Sequence, residues 1–232
     1  MIDKKNCCGC NACVQHCPKS CITMQEDEEG FLYPIVDQEV CIDCGLCEKV
    51  CPVLNQGEER KPLQVYAANN TNEEIRMQSS SGGVFTLLAE TIIQEGGVVF
   101  GARFNDDWEV IHDYTETQEG LATFRGSKYV QSRIGDSYCQ AEQFLKKGRK
   151  VLFSGTPCQI GVWKSYLEEL IALQCKRKNS VLSHSKPIIL NSIRDISRIE
   201  FRNKRLGWKK YSFALTLSVP DGHGTKNTVL LS

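Results

Sequence analysis

The chain has 232 residues, of which 41% are hydrophobic and 24% charged, a balance that fits a folded globular protein and excludes a disordered one. Its 28 basic and 28 acidic residues cancel, so no overall excess points to nucleic acid. No apolar run approaches the roughly 18–20 residues of a membrane span. The start, Met1 to Lys5, has no apolar signal-type stretch, and the expected location is the cytoplasm. Charge is uneven along the chain. The stretch from Glu26 to Glu59 is acidic and that from Lys176 to Lys210 basic, read as two solvated faces.

Thirteen cysteines are present, and ten lie between Cys7 and Cys51. Without an export signal a disulfide framework is not expected, so dense cysteine points to metal or redox chemistry. Two segments share one spacing: Cys7-x2-Cys10-x2-Cys13-x3-Cys17-Pro18 and Cys41-x2-Cys44-x2-Cys47-x3-Cys51-Pro52. Three cysteines at i, i+3 and i+6 wrap one face of a cubane, and the fourth ligates the other cluster. The expectation is two 4Fe–4S clusters, one on Cys7, Cys10, Cys13 and Cys51, the other on Cys41, Cys44, Cys47 and Cys17. Structural zinc, which uses two C-x2-C pairs or a Cys/His mixture, fits poorly, with His16 the only histidine nearby. Cys8 and Cys21 fall outside the pattern and read as buried small hydrophobes or bystander thiols, with Cys8, beside Cys7, also able to substitute for it as a ligand.

Between the motifs, Ile22–Met24 and Phe31–Val36 read as strands around an acidic turn, Glu26 to Gly30. Residues 1–55 resemble a bacterial-type ferredoxin. A polar linker, residues 56–62, follows. Gln64–Ala68 reads as a strand. Ser79–Gly83 leads into a helix over Val84–Gln94 with a serine-rich start, closed by Gly96-Gly97. Val98–Ala102 and Val110–Tyr114 read as partner strands. Ile134–Lys147 reads as a helix ended by Gly148. Lys150–Ser154 is a buried strand whose turn, Gly155-Thr156-Pro157-Cys158-Gln159, opens another helix. Alternating strands and helices argue for an α/β domain with a mixed sheet. The Ser79–Gly83 and Gly155–Gln159 turns offer N–H groups and hydroxyls to an anion, although neither is a Walker or Rossmann fingerprint.

Ser80-Ser81-Gly82-Gly83, then Gly126-Ser127-Lys128-Tyr129-Val130-Gln131-Ser132, then Gly155–Gln159, all behind a dicluster module, resemble the family of coenzyme F420 hydrogenase/dehydrogenase beta subunits. Glu200 to Trp208 also resembles a segment of its C-terminal part. The resemblance implies an iron–sulfur flavoprotein. Its clusters exchange electrons with an FAD, which exchanges hydride with a deazaflavin or another small-molecule acceptor. It implies a flavin site around Ser80, Ser81, Gly82 and Gly83, around Ser127, Lys128 and Tyr129, and around Thr156, Cys158 and Gln159. A redox partner protein or electron-donating subunit is implied as well. No catalytic residue is assigned, nor any role to Cys139 or Cys175.

Two departures from the family pattern set further expectations. No Cys-His-Gly stretch follows the Gly155–Gln159 helix, since Cys175 precedes Lys176. This reads as an internal deletion after about Leu167 that removes a core strand. After a hairpin around Val219–Gly224 the family's further C-terminal region is missing. The expected architecture is thus an α+β ferredoxin-like dicluster module (1–55), a linker (56–62), an incomplete α/β domain with a mixed sheet (63–172), and a partial C-terminal region (173–232). The alternatives are a ferredoxin-like electron-transfer adaptor without flavin, or a truncated inactive family member.

Overall fold

A computed structural model describes residues 3–56 and 69–163, together with the backbone of three later strands. Expectations for residues 57–68, for Lys164–Ala172, for Cys175 and for Glu200–Trp208 lie outside the described residues. Among those described, no helix is long and apolar enough to cross a membrane.

The cysteine module is a repeat in backbone as well as in sequence. Helix α1 (Ala12–Gln15) follows the first two cysteines of motif one and carries the third, and α2 (Leu46–Lys49) occupies the same place in motif two. Gly9 and Asp43 hold equivalent positions and both have positive φ, 61° and 50°; so do Asn11 and Gly45, at 63° and 70°. Two left-handed residues per loop curl each motif tightly, and Gly, Asn and Asp are the residues that tolerate this. Between the motifs, β1 (Ile22–Glu26) pairs antiparallel with β2 (Leu32–Val36), Ile22 opposite Val36. Asp27 builds their turn, its Oδ1 accepting from the N–H groups of Glu29 (3.1 Å) and Phe31 (2.9 Å).

After α3 (Glu73–Met77) comes α4 (Val84–Gln94), the span expected from sequence. It buries Val84, Leu88, Ala89 and Ile92 at helical spacing. Its start differs from expectation. No serine caps it; the cap is Gly83 in the left-handed region (φ 69°), with no side-chain bond. Asn70 supports this turn instead, donating its N–H to the Gly82 carbonyl at 2.6 Å.

The sheet has the order β4-β3-β5-β6. Strand β3 (Val98–Phe104) pairs antiparallel with β4 (Val110–Thr115) and parallel with β5 (Val151–Ser154). The sheet is therefore mixed, as expected. Helix α5 (Ser137–Lys146) begins three residues later than its apolar pattern suggests. Ile134, counted there as its first residue, is buried ahead of the helix in the core.

The strand expected to be lost would fall after the Gly155–Gln159 turn, where residues 164–187 lie outside those described. Strand β6 (Ile188–Leu190) lies parallel to β5, Phe153 opposite Ile189. Two β-branched residues and a leucine suffice to extend a sheet edge, although so short a run is easily passed over in a polar stretch. Strands β7 (Leu217–Pro220) and β8 (Lys226–Val229) form the expected antiparallel pair, Pro220 opposite Lys226.

One apolar core joins the cysteine module to the sheet. Cys10, Ala12 and Val50 pack in the same cluster as Phe100, Tyr138, Phe153, Ile160 and Trp163. Phe153 is the hub, its ring 5.4 Å from those of Tyr138 and Trp163 and 5.5 Å from Phe100. Such pairs add about 0.5–1.5 kcal/mol beyond area burial. Phe153→Ala is expected to cost about 3–5 kcal/mol. Because the core is shared, thermal melts should show the visible cluster absorbance and the far-ultraviolet helix signal shifting down together. Loss of the helix signal alone would show the two parts to be energetically separate.

Candidate functional site

The eight motif cysteines line two cavities, in a crossed arrangement. Cys7, Cys10, Cys13 and Cys51 line one, which Cys8 and Cys47 also border. Cys17, Cys41, Cys44 and Cys47 line the other, bordered by Cys21. The fourth cysteine of each motif thus reaches the cavity of the other, as the spacing rule requires. Among the described residues no three Cys, His, Asp or Glu side chains converge as ligands of a single ion. Each four-thiol set could hold one 4Fe–4S cluster.

The two cavities differ in surroundings. Motif two faces outward: Asp43 and Cys44 are exposed, and Ile42 is 56% exposed. Motif one faces inward. The Tyr138 hydroxyl lies between two carbonyls, those of Cys10 (3.4 Å) and Gln159 (3.2 Å). Gln131 clamps the same loop. Its Oε1 accepts from Leu32 N–H at 2.7 Å, and its Nε2 reaches the Gly9 carbonyl at 3.4 Å. A Cβ at Gly9 would lie 1.9 Å from Gln131 Nε2, so glycine there is required by the clamp as well as by its φ. Asn11 Nδ2 and Gln15 Nε2 both donate to the Gly135 carbonyl, at 3.1 and 2.7 Å.

The loop of motif one therefore abuts the Gly155–Gln159 turn at the carboxyl end of β5. Cys8, read from sequence as a buried or bystander thiol, is exposed and lines the first cavity together with Cys7 and Cys10. Cys158 meets Thr156 Oγ1 at 3.1 Å. Cys21 is buried as expected, 3.3 Å from Cys17 through their sulfurs.

The residues expected around a flavin fall into two contact groups. Ser80 Oγ accepts from Ser127 N–H, joining the Ser/Gly turn to the 126–132 segment. Thr156, Cys158 and Gln159 form the second group, with Gln159 Oε1 accepting Thr156 N–H at 2.8 Å. Lys128 is not free for a phosphate. Its Nζ donates to the carbonyls of Thr123 (3.1 Å), Arg125 (2.8 Å) and Gly126 (3.1 Å), closing the 3-10 turn Glu119–Phe124. Burial holds its pKa below the ordinary lysine value. Tyr129 is 93% exposed and Ser81 is exposed. Gly82 and Gly83 are buried under Asn70.

His112 was not singled out from sequence. The available signal was a lone histidine at an alternate position of an apolar strand. Its ring stacks 5.5 Å from Phe153. Nε2 faces the Ser154 carbonyl at 2.9 Å, and a carbonyl only accepts, so Nε2 carries the proton. Nδ1 then accepts from the Ser132 hydroxyl at 3.0 Å. Ser132 Oγ in turn accepts from Gln159 Nε2 at 2.9 Å. One ordered chain thus runs from β5 through His112 and Ser132 to the Thr156–Gln159 turn.

Comparison with known proteins matches these two parts. Residues 6–55 match the family described as 4Fe-4S dicluster domain, and residues 65–136 match coenzyme F420 hydrogenase/dehydrogenase, beta subunit N-term. The chain is 23% identical over 226 residues to a subunit of the F(420)H(2) dehydrogenase of Methanosarcina mazei, covering 87% of this chain and 63% of that protein. It is 23% identical over 162 residues to the coenzyme F420-dependent sulfite reductase of Methanocaldococcus jannaschii, covering 69% of this chain and 25% of that one. A 7Fe ferredoxin of Hydrogenibacillus schlegelii is 50% identical over 42 residues, 18% of this chain and 47% of the ferredoxin. A chain of the F420-reducing [NiFe] hydrogenase complex of Methanosarcina barkeri aligns with TM-score 0.42 and 21% identity, over 74% of this chain and 62% of its own. The chain thus spans under two thirds of these relatives. The resemblance read from the motifs holds: a segment matching the 4Fe-4S dicluster family precedes one matching the beta-subunit N-terminal family.

Burial lowers the His112 pKa from its ordinary 6.5. A histidine with a depressed native pKa contributes stability above its unfolded value. That contribution is lost as pH falls from about 6.5 through the native value, because the unfolded chain takes up the proton first. Native-state hydrogen exchange of the β3 and β5 amides, corrected for intrinsic rates, should show protection falling between about pH 7.5 and 5.5. The fall should be smaller in His112→Gln; an equal fall in both would remove His112 as its source.

Proposed function

We propose that the chain is an iron–sulfur electron-transfer subunit that carries electrons between a partner protein and a flavin through two 4Fe–4S clusters. The flavin, as FAD, would exchange hydride with a deazaflavin or another small acceptor. The observation that carries this reading is the pair of crossed four-cysteine cavities, the inner one set against the Gly155–Gln159 turn. Cys7, Cys10, Cys13 and Cys51 hold the inner cluster; Cys41, Cys44, Cys47 and Cys17 hold the outer one. The clusters supply one-electron transfer, and a bound flavin would supply the interconversion of one- and two-electron steps.

The chain's own residues position and insulate this route. Tyr138 and Gln131 fix the inner loop against the sheet, so its thiols keep one distance to the turn. The shared aromatic core excludes water from that side, which strengthens the electrostatic influence of nearby dipoles. Gln159, held through Ser132 and His112, fixes the turn itself. Exposed residues at the outer motif leave it open to a partner. From Glu26 to Gln56 the sequence has eight carboxylates and one lysine, Lys49, so the complementary partner face is basic.

An adaptor without flavin is favoured by one observation: three of the expected contacts are already used. Lys128 Nζ, Thr156 N–H and Ser80 Oγ all have partners within the chain. Of the expected set, the exposed Ser81, Ser127 and Tyr129 and the partly exposed Cys158 would be left for a flavin.

Anaerobic reconstitution tests the ligand set. Cys10→Ser and Cys51→Ser should lose the same cluster signal in electron paramagnetic resonance, with iron falling by roughly half. Cys17→Ser and Cys44→Ser should lose the other. Pairing of Cys51 with Cys44 instead would overturn the crossed assignment. Denaturation of the anaerobically purified protein should release about one flavin per chain; a protein with full iron, cooperative unfolding and no flavin is the adaptor. Reduction by a basic donor protein should slow as salt rises from about 50 to about 500 mM, because screening shortens the reach of the acidic face. A rate indifferent to salt would argue against electrostatic docking there.

A further inference from the structure

The tip of the β3–β4 hairpin breaks the residue rule of its own turn. Trp108 N–H donates to the Asn105 carbonyl at 3.2 Å, and Asn105 N–H donates to the Glu109 carbonyl at 2.9 Å. Asn105 Oδ1 accepts from Asp107 N–H (3.1 Å) and Glu109 N–H (2.8 Å), so the loop is held by its own side chain as well. A hairpin loop of this kind ends in one left-handed residue, a position that glycine or asparagine takes without strain. Here Trp108 takes it, with φ 61° and 80% of its surface exposed. A bulky side chain at positive φ is held against its own steric preference, and such outliers gather where a side chain must be presented. The buried core does not use this indole, and neither cluster cavity does. Its ring meets Phe104, 5.7 Å away and itself 43% exposed.

Carboxylates frame the aromatic pair. Asp106, Asp107 and Glu109 belong to the same loop, and Glu26 to Glu29 are four consecutive carboxylates at the β1–β2 turn. Arg133 seats the two turns side by side, because its Nη2 binds both Glu26 and Glu109. Phe31, 46% exposed, adds apolar surface on the cysteine-module side. The cations at hand are already engaged, Arg133 in that bridge and Lys4 on Asp27 at 2.8 Å. Asp106, Asp107 and Glu28 are exposed and enter no ion pair among the described residues. Glu26 lies opposite Leu32, whereas Ile22, at the other end of β1, borders the outer cavity. The surface is therefore separate from the exposed outer motif. An aromatic centre inside a charged rim is the anatomy of a protein-docking surface, and a rim of one sign selects a partner of the other.

We infer that this tip docks a partner protein through an arginine-rich segment interleaved with aliphatic side chains. A guanidinium is flat and weakly hydrated, so it can lie over the exposed indole while donating to Asp106 or Asp107. Aliphatic groups beside it cover Phe104 and Phe31. The bonded loop fixes Trp108 before the partner arrives, so less freedom is lost on binding than for an indole on a loose loop. The Arg133 bridge makes such a partner rest on the cysteine module and the sheet at once. This surface depends on neither the ligand set of the clusters nor a flavin.

The experiment uses the full chain with both clusters in place, kept anaerobic at low salt. Three dye-labelled, capped peptides of equal length are titrated by fluorescence anisotropy: arginine–leucine, arginine–serine and glutamate–leucine. The arginine–leucine peptide should bind about tenfold or more tightly than the arginine–serine one, and the glutamate–leucine peptide should not bind. Trp108→Asn should weaken arginine–leucine binding about tenfold or more. Because asparagine suits the left-handed position, this variant should keep its iron and melt no lower than the parent. Asp106→Asn with Asp107→Asn should weaken binding and flatten its salt dependence. Equal binding of the two arginine peptides, or binding indifferent to Trp108→Asn, would overturn the aromatic anchor. A lower melting temperature in Trp108→Asn would make the indole a structural prop and overturn its role in docking. Sedimentation that shows a dimer abolished by Trp108→Asn would assign the surface to a second copy of the chain and overturn the arginine-rich partner.

Discussion

Everything at the proposed electron exit depends on one buried hydroxyl. Tyr138, fully enclosed on α5, places its O–H between a carbonyl of the first cysteine loop and a carbonyl of the helix that follows β5. A buried carbonyl left without a donor costs about 1–3 kcal/mol, so neither segment can retreat cheaply. The ring beneath is locked between Phe153 and Trp163. Position is thus set by packing, and direction by the hydrogen bond. Electron transfer falls off steeply with distance, so a cluster loop held against the β5 turn by one rigid side chain would keep a fixed distance to whatever that turn carries, which two domains joined by a linker alone would not. The shared core makes the cysteine module a part of the larger domain, and not a ferredoxin carried beside it.

The mixed sheet serves the same end. Strand β4 is antiparallel to β3, and β5 and β6 are parallel. The turn after β5 therefore opens at the carboxyl edge, where parallel sheets present backbone N–H groups. His112 on β4 reaches across to the end of β5, and Ser132 brings in the segment that also carries Gln131. That segment has two tasks. Its start, Gly126–Lys128, closes a 3-10 turn and meets Ser80; its end grips the cysteine loop. A segment recognisable in sequence as a unit is, in space, a strap between three elements.

What the sequence made legible was local. Cysteine spacing, the apolar period of Val84–Gln94, the β-rich Val98–Ala102 and the glycines at 96 and 148 each depend on neighbours within a turn or two, and each is found where it was expected. What escaped depended on distant partners. Lys128 looks like a free cation until three carbonyls of its own turn are seen around it. The serines before α4 look like caps, but Gly83 in the left-handed region does the capping and Ser80 turns to Ser127 instead. Ile188–Leu190 is too short to announce a strand unless β5 is already waiting beside it.

The repeat adds a final constraint. Both motifs adopt one backbone, with left-handed residues at Gly9 and Asp43 and at Asn11 and Gly45. Identical ligation loops would give clusters of similar potential if each stood in the same medium, and electrons would have no preferred resting place. The two loops stand in different media. Motif one is pressed into an aromatic core, with Cys10 only 9% exposed, and motif two meets solvent at Ile42, Asp43 and Cys44. A more negative cluster state is better tolerated beside water than beside Phe153 and Trp163. Two alike ligation loops in unlike surroundings would thus differ in potential, and the difference rests on residues outside both motifs: Tyr138 and Gln131 on the inner side, and the carboxylates on the outer.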